Sequence, residues 1–417
     1  MTATTVTTAP PPRTTRAYRW ARKHLFRTWL DAILTLVFGG AGLYVAARLV
    51  LFVFVNARWD IIVVNLKLLM VGRWPSTELA AIGVSVVVLA LWAGLIAGII
   101  AGRQVRKGSS VVAAMSPGER ALDLSRRFGL LIATGLLLLA LTDTSGPWLM
   151  AGAGVVVGLF GRAAGSRIGR HGVPHIVAIA GIVLLAVIPV AIYFYLVGTV
   201  RLAQWEGFLF NIMAAAAGIV LCFPLGVLLA LGRRSKLRLL QGLSILYIEF
   251  VRGAPLYVLL LMANVSLEFF VPASIAPSKV IRAIVTFTLF TAAYLAEIVR
   301  GGLQSVPRGQ EEAAKSVGLS PTKQMGLIVL PQALRNVIPA QIGQFISLFK
   351  DTTLAGLALG ILDMLSAAQA ITQQPGFRGQ GLIVETLVFV GFLFWVGSFT
   401  MSRESQRLER RLGVGTR

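Results

Sequence analysis

The chain has 417 residues, 56% of them hydrophobic and 13% charged, with mean hydropathy +0.78 and a formal net charge of +22. That composition excludes an ordinary soluble domain and describes a protein that crosses a membrane several times. Nucleic-acid binding is excluded too, because Lys and Arg fall in short clusters beside apolar runs and no basic face carries interleaved aromatics.

Residues 1–29 read as a basic tail, Thr/Ala/Pro-rich and disordered at its start, with Arg13, Arg16, Arg19, Arg22, Lys23 and Arg27. Residues 30–200 read as an N-terminal membrane extension. Its first span, about 30–55, is followed by no small-residue cleavage site and is expected to be retained. Arg48 within it should face other helices or snorkel outward. Residues 56–77, with Trp59 and Trp74, look interfacial. The second span, about 78–102, carries Gly94, Gly98 and Gly102 at four-residue steps, a pattern for close helix packing. A basic loop with Arg103, Arg106, Lys107, Arg120, Arg126 and Arg127 follows. The apolar runs 129–142 and 147–161, separated by turn residues, each reach only about 20 Å and are either short spans or a re-entrant hairpin.

Further spans are expected at about 175–200, 207–231, 242–263, 281–300, 337–362 (interrupted) and 382–401, with residues 403–417 as a tail. Ten segments put both termini on one side. The basic residues divide 29 to 7 in favour of that side, which predicts cytoplasmic termini and a cytoplasmic 305–331 stretch. Cys222 is the single cysteine, so no intrachain disulfide can form, and His24, His171 and His175 lack metal-ligand spacing.

The 305–331 stretch reads as two short helices and a tight turn. Pro307 suits a first helical residue, Glu311 and Glu312 suit the early turns, and Glu311 and Lys315 are spaced for a pair. Gly318 suits a left-handed close, and Ser320-Pro321 a fresh cap. Ala313, Ala314 and Val317 leave a small, mildly apolar flank for another protein. No GxxxxGK[ST] loop occurs, so the chain does not bind ATP in that mode, and no nucleophile–base constellation is visible.

Glu312-Ala313-Ala314, three residues, Gly318, nine residues and then Ile328-Val329-Leu330-Pro331 resembles the EAA loop of bacterial ABC-importer permeases. The segments LGRRS (231–235), YIEFVRGAPL (247–256), YLAEIVRGG (294–302) and LPQALRNVIPAQIGQFISLFKDTTL (330–354) resemble the permeases for polar amino acids. Residues 30–200 resemble, more weakly, the long-form permeases of general L-amino-acid importers. The departures are Asn211-Ile212-Met213 where Asn-Thr-Leu is usual, and Thr353 where Ser is common.

The resemblance implies an all-α integral membrane protein, a polytopic bundle of about 8–10 transmembrane segments. Its core, 207–402, would be a type I ABC importer core of five helices in the C-terminal half. Glu312, Ala313, Ala314, Gly318, Ile328, Leu330 and Pro331 would couple it to a partner ABC ATPase dimer. ATP and Mg would sit on that partner, and this chain would carry no cofactor and no enzyme activity. A second permease subunit, an extracytoplasmic amino-acid-binding protein and membrane lipid would complete the assembly in the bacterial inner membrane.

Two groups of polar residues are candidates to line a solute path. Glu249 and Arg252 are three apart on one helix, as are Glu297 and Arg300, which suits either self-neutralising structural pairs or a lining for a zwitterion. Lys350, Asp351 and Thr352 interrupt the 337–362 span, where Asp351 or Thr352 would cap a new helix. Lys350 and the 352–354 amides would then hold a carboxylate, or else Lys350 and Asp351 simply pair. Two other readings of the whole remain: an ion-gradient-driven secondary transporter, or a non-transporting scaffold.

Overall fold

The computed structural model describes residues 20–106, 117–142, 145–171, 175–272 and 274–413, and every extended regular element among them is a helix. Residues 1–19 of the tail, Lys107 of the basic loop, Asp143 and Thr144 of the turn, and residues 414–417 lie outside that set. The contacts divide the chain into two units, Met1–Trp59 and Asp60–Arg417. The division falls within the 30–200 stretch.

In the first unit, Thr28 and Asp31 form a reciprocal capping box, each backbone N–H donating to the other's side chain at 3.1 Å. This satisfies first-turn donors of α1 (Trp29–Leu51), which runs on into a π-turn, Phe52–Asn56. No residue of α1 is buried, and Val37, Phe38 and Leu43 are exposed, so this helix needs lipid or protein around it. Arg48 sits in its last turn, where a long cation reaches the membrane boundary.

The second unit contains α2 (Asp60–Val64), α3 (Leu66–Val71), α4 (Leu79–Arg106), α5 (Pro117–Ala140), α6 (Ser145–His171) and α7 (His175–Thr199). Then come α8 (Gly207–Arg233), α9 (Arg238–Gly253), α10 (Leu256–Val265), α11 (Lys279–Ser305), α12 (Arg308–Ser316) and α13 (Leu330–Asn336). The unit closes with α14 (Ile338–Asp351), α15 (Leu354–Leu359), α16 (Met364–Ile371) and α17 (Ile383–Leu412). Among the described residues, six helices across the two units are long and apolar enough to cross a membrane, and the bent α9–α10 pair makes at most seven. Phe128–Ala140 and Val187–Thr199 are shorter apolar helices.

Four expectations change. The 147–161 run is part of α6, whose 27 residues span about 40 Å and pass straight through Arg162, Arg167 and Arg170. The 242–263 run is two helices bent by 102°, because Pro255 forces Ala254 into an extended conformation (φ −94°, ψ 139°). Residues 56–77 do not merely lie at an interface: Ile61, Ile62, Leu69 and Trp74 are at most 2% exposed, packed through α2 and α3 against α8, α16 and α17. The final helix continues to Leu412, so most of the 403–417 tail is helical.

The glycine steps do what close packing requires. A Cβ on Gly94, Gly98 or Gly102 would lie 2.2–2.4 Å from a backbone carbonyl of α6, and one on Gly165 or Gly169 would lie 2.3–2.5 Å from one of α4. The charged end of α6 stays helical because this seam of small residues presses it onto α4. Gly98→Ala should force the two backbones apart and cost roughly 1–3 kcal/mol. The readout is the unfolding temperature in detergent; Gly146→Ala, with open space around it, should leave that temperature unchanged.

Elsewhere α8 and α11 pack along their lengths. A Cβ on Gly226 would meet Leu295 at 2.8 Å, and Cys222, Ala292 and Ala296 are fully buried beside them. Short side chains let these two backbones approach, which brings the ends of α8 and α11 together at the candidate site.

Candidate functional site

α12 begins after Val306-Pro307, with Pro307 as the cap and Arg308 as the first helical residue, one position later than the proline spacing suggests. It closes in a Schellman turn: the Leu319 N–H donates to the Ala314 carbonyl at 3.1 Å and the Gly318 N–H to that of Lys315 at 2.9 Å. Gly318 is left-handed, φ +76°, as this turn demands. Ser320 takes the next cap position through its backbone only, with no side-chain bond, ahead of Pro321. Gln324 does the bracing instead, its amide donating to the Leu319 carbonyl at 2.6 Å.

The second arm is not a plain helix. Gln324–Val329 is a π-turn, with the Leu330 N–H donating to Met325 O five residues back. Pro331, which has no N–H, follows directly, so the wider turn sits where α-helical bonding must lapse. The Ile328 carbonyl is satisfied by Gln332 Nε2 at 2.8 Å, and the same amide reaches Gln310 on α12 at 3.2 Å.

The base of the hairpin is closed. A Cβ on Gly302 would lie 2.6 Å from the Ala333 carbonyl, so α11 and α13 touch backbone to backbone. Asn336 Nδ2 donates to Ser305 Oγ at 3.0 Å beside them. Ala314, 4% exposed, packs inward, whereas Glu312, Ala313, Val317, Gly318 and Pro331 face out; Ile328 and Leu330 are half-buried. The small apolar flank is thus split: Ala314 holds the hairpin together and only Ala313 and Val317 remain to meet a partner. Val317 and Leu327 are 73% and 64% exposed.

An ion network joins this hairpin to the spans. Arg233 at the end of α8 donates to Glu249 of α9 at 2.9 Å and to Glu297 of α11 at 2.7 Å. Glu297 also accepts from Arg300 at 2.8 Å and lies 3.7 Å from Arg252, whose guanidinium sits over the Tyr294 ring. Glu249–Arg252 and Glu297–Arg300 are therefore parts of one cluster built across three helices, with Glu297 at its centre and Arg233 bridging it to Glu249. Arg234, next in the chain, reaches Glu311 of α12 at 3.4 Å, so Glu311 turns to α8 and not to Lys315. Sequence spacing missed Arg233 and Arg234, although both lie in the LGRRS segment.

The interruption at Lys350–Thr353 is real but differently made. Thr352 is fully buried, accepts from Asn211 Nδ2 at 3.1 Å and donates to the Phe349 carbonyl at 2.7 Å. Neither it nor Asp351 caps α15, whose cap position is Thr353 without a side-chain bond. The N–H groups of Thr352 and Thr353 already donate to Leu348 and Lys350 carbonyls, so they are not open to a carboxylate. Asn211, also fully buried, accepts from the Met364 N–H at 3.1 Å and so links α8, the break and α16. Lys350 is exposed at the end of α14, and Asp351 is half-buried beside it.

At the far end of α8 from α12, Arg73 donates to buried Glu206 through its backbone N–H (3.0 Å) and through Nε (2.9 Å to each oxygen). The carboxylate's hydrogen bonds and charge raise the guanidinium pKa further above its ordinary value.

These features define a polytopic helical membrane protein that presents a rigidly capped helix hairpin at one end of its bundle. Residues 222–414 match the family of binding-protein-dependent transport system inner membrane components, and the chain belongs to that family. It is 43% identical over 222 residues to the inner membrane amino-acid ABC transporter permease protein YhdY of Escherichia coli (53% of this chain, 60% of that one). It is 42% identical over 209 residues to the glutamate/glutamine/aspartate/asparagine transport system permease protein BztC of Rhodobacter capsulatus (50% and 48%). The match thus spans about half the length of these two relatives. It is also 33% identical over 208 residues to the probable glutamine ABC transporter permease protein GlnP of Bacillus subtilis, covering 50% of this chain and 92% of that one. A solved amino acid ABC transporter with histidines aligns over 48% of this chain and 90% of its own, with 27% identity and a TM-score of 0.43.

Proposed function

We propose that this chain is the permease subunit of an ATP-driven importer of polar L-amino acids, working with a separate ATPase dimer. The observation that carries this reading is the hairpin itself. Its two arms are locked by the Gly318 turn, its base is closed at Gly302 and Ser305, and it leaves Glu312, Ala313, Val317 and Gly318 exposed. A rigid, outward-facing element tied by Arg234–Glu311 to a spanning helix can pass a partner's movement into the bundle. The names of the matched relatives support the amino-acid class.

A second permease subunit and an extracytoplasmic amino-acid-binding protein complete the proposed assembly, with ATP and Mg on the ATPase partner. The 29-to-7 division of basic residues supports cytoplasmic termini and a cytoplasmic hairpin in the inner membrane. Glu249, Arg252 and Glu297 serve mainly to hold three helix ends together. Lys350, exposed beside the break, remains the cation proposed to meet the solute's carboxylate.

The test is uptake of labelled amino acids into proteoliposomes with and without the ATPase. Uptake that needs both ATP and the ATPase is expected; proton-driven uptake without ATP would replace this reading with a secondary transporter. In the same assay Lys350→Ala should lower uptake at limiting solute, and unchanged kinetics would remove it from the path.

A further inference from the structure

The segment between α2 and Trp74 has no counterpart in the matched core, which starts at residue 222. A relative covered to 92% by a 208-residue match has little chain left for one. Yet it is built into this bundle as tightly as the core itself. Ile61, Leu69 and Trp74 are fully buried, and the Trp74 and Trp205 rings stand 5.9 Å apart. Asn65 accepts from Gln374 Nε2 at 2.8 Å, which ties the segment to the loop after α16.

The fit at its end is closer still. Gly72 (φ +60°) and Gly207 (φ +59°) are left-handed glycines facing each other: a Cβ on Gly207 would lie 2.7 Å from the Leu69 carbonyl, and one on Gly72 would overlap Glu206. Glu206 is 2% exposed, and Arg73 is the cation that neutralises it, with side chain and backbone both donating. From Glu206 a short chain of contacts runs inward. The Gly207 N–H donates to the Leu362 carbonyl at 2.7 Å, and one turn further along α8 Asn211 bonds to Thr352 at the α14–α15 break and to Met364 at the start of α16.

We propose that residues 60–74 are a fixed arm of the transport core, and that Arg73, through Glu206, positions the first turns of α8 and with them the broken α14–α15 helix. Arg73 is thus a positioning residue, acting through Glu206 and Asn211 and touching no solute. A contiguous hydrogen-bonded path of this kind is a physical route for coupling, because a buried carboxylate that loses its cation is left with an uncompensated charge and must move. This inference rests on the transport reading for its functional consequence, but the docking of the arm is read separately.

The experiment uses the full chain in its complex. Leu69→Cys reports docking: its thiol should resist a water-soluble maleimide while the arm is seated, and it should label when Arg73→Gln is added. Uptake by Arg73→Gln should fall about tenfold in maximum rate with unchanged half-saturation, the loss expected when about 1.4 kcal/mol of positioning is removed. Arg73→Lys should keep most of the rate, and Arg73→Gln/Glu206→Gln should regain both protection and rate because no buried charge is left unpaired. Where Arg73→Gln does not accumulate, the double variant decides alone. Equal labelling and rate in Arg73→Gln, or a double variant no better than the single, overturns the proposal. If no ATP-driven uptake occurs in the parent, the transport reading fails while the labelling still reports whether the arm is seated through Arg73.

Discussion

Replacing Gly318 by valine should leave the protein inserted in the membrane while uptake coupled to the ATPase falls about tenfold or more. The cause is backbone strain, not crowding, since nothing lies within 4 Å of the position a Cβ would take. At φ +76° an ordinary L-residue pays roughly 1–2 kcal/mol, and a β-branched one more, so the turn relaxes toward a right-handed conformation. Relaxation breaks the Leu319–Ala314 and Gly318–Lys315 hydrogen bonds and swings α12 against the Gln324–Val329 arm. A loss of about 1.4 kcal/mol in the productive geometry is already a factor of ten. The check is ATPase co-purification, with ATP hydrolysis and uptake measured side by side: hydrolysis without uptake, or loss of the ATPase, is the expected result. Gly318→Asn, which tolerates the left-handed region, should retain most of the coupling. Normal coupled uptake in Gly318→Val would show that the hairpin does not act as a lever.

Removing the negative charge at Glu297 should be the most damaging change in the ion cluster. Its carboxylate is shared by Arg233, Arg300 and Arg252, and its side chain is only 15% exposed. Glu297→Gln leaves three guanidinium groups around a neutral amide, at the point where α8, α9 and α11 meet. Breaking a buried pair from one side costs about 3–5 kcal/mol; with the arginines a quarter to a third exposed, roughly 2–3 kcal/mol is expected here. Glu249, with its side chain 57% exposed, should cost under about 1 kcal/mol when changed to Gln, and that smaller loss should vanish in high salt. Unfolding temperature in detergent separates the two variants. Because Arg234, next to Arg233 at the end of α8, holds Glu311, Glu297→Gln should also loosen α12 and lower ATPase binding. Equal stability of the two variants would mean that Glu297 is not the centre of the cluster.

Much of the hairpin was legible because its signals are local. A glycine closing a helix, a proline opening one and a run of small residues each act within one turn of where they stand. Gly318 needed no tertiary information to be placed. The Gly94–Gly98–Gly102 seam was legible for a related reason: a four-residue step puts small residues on one face, although it does not say that α6 is the partner. Where local reading failed, the deciding fact lay elsewhere in the bundle. The helical end of α6 lay beyond the expected 147–161 run because it carries Arg162, Arg167 and Arg170, and there Gly165 and Gly169 lie against the α4 backbone.

Length, hydropathy and the turn residues of the 305–331 stretch determined by themselves that this is a helical membrane protein with a capped hairpin, and the importer-permease type was carried by the resemblance of its Glu312–Pro331 motif. Those properties depend on composition and on neighbours along one helix, which the order of residues states directly. Only the tertiary structure decided who pairs with whom. Arg233 meets Glu297 across 64 residues, Arg73 meets Glu206 across 133, and Asn211 meets Thr352 across 141. Each of these contacts is set by how helices cross and how near small residues let them come. The periodicity of one segment carries no record of the face its neighbour presents. For the same reason residues 60–74, which read alone as part of an interfacial segment, prove to be part of the core once α8 and its buried Glu206 stand against them.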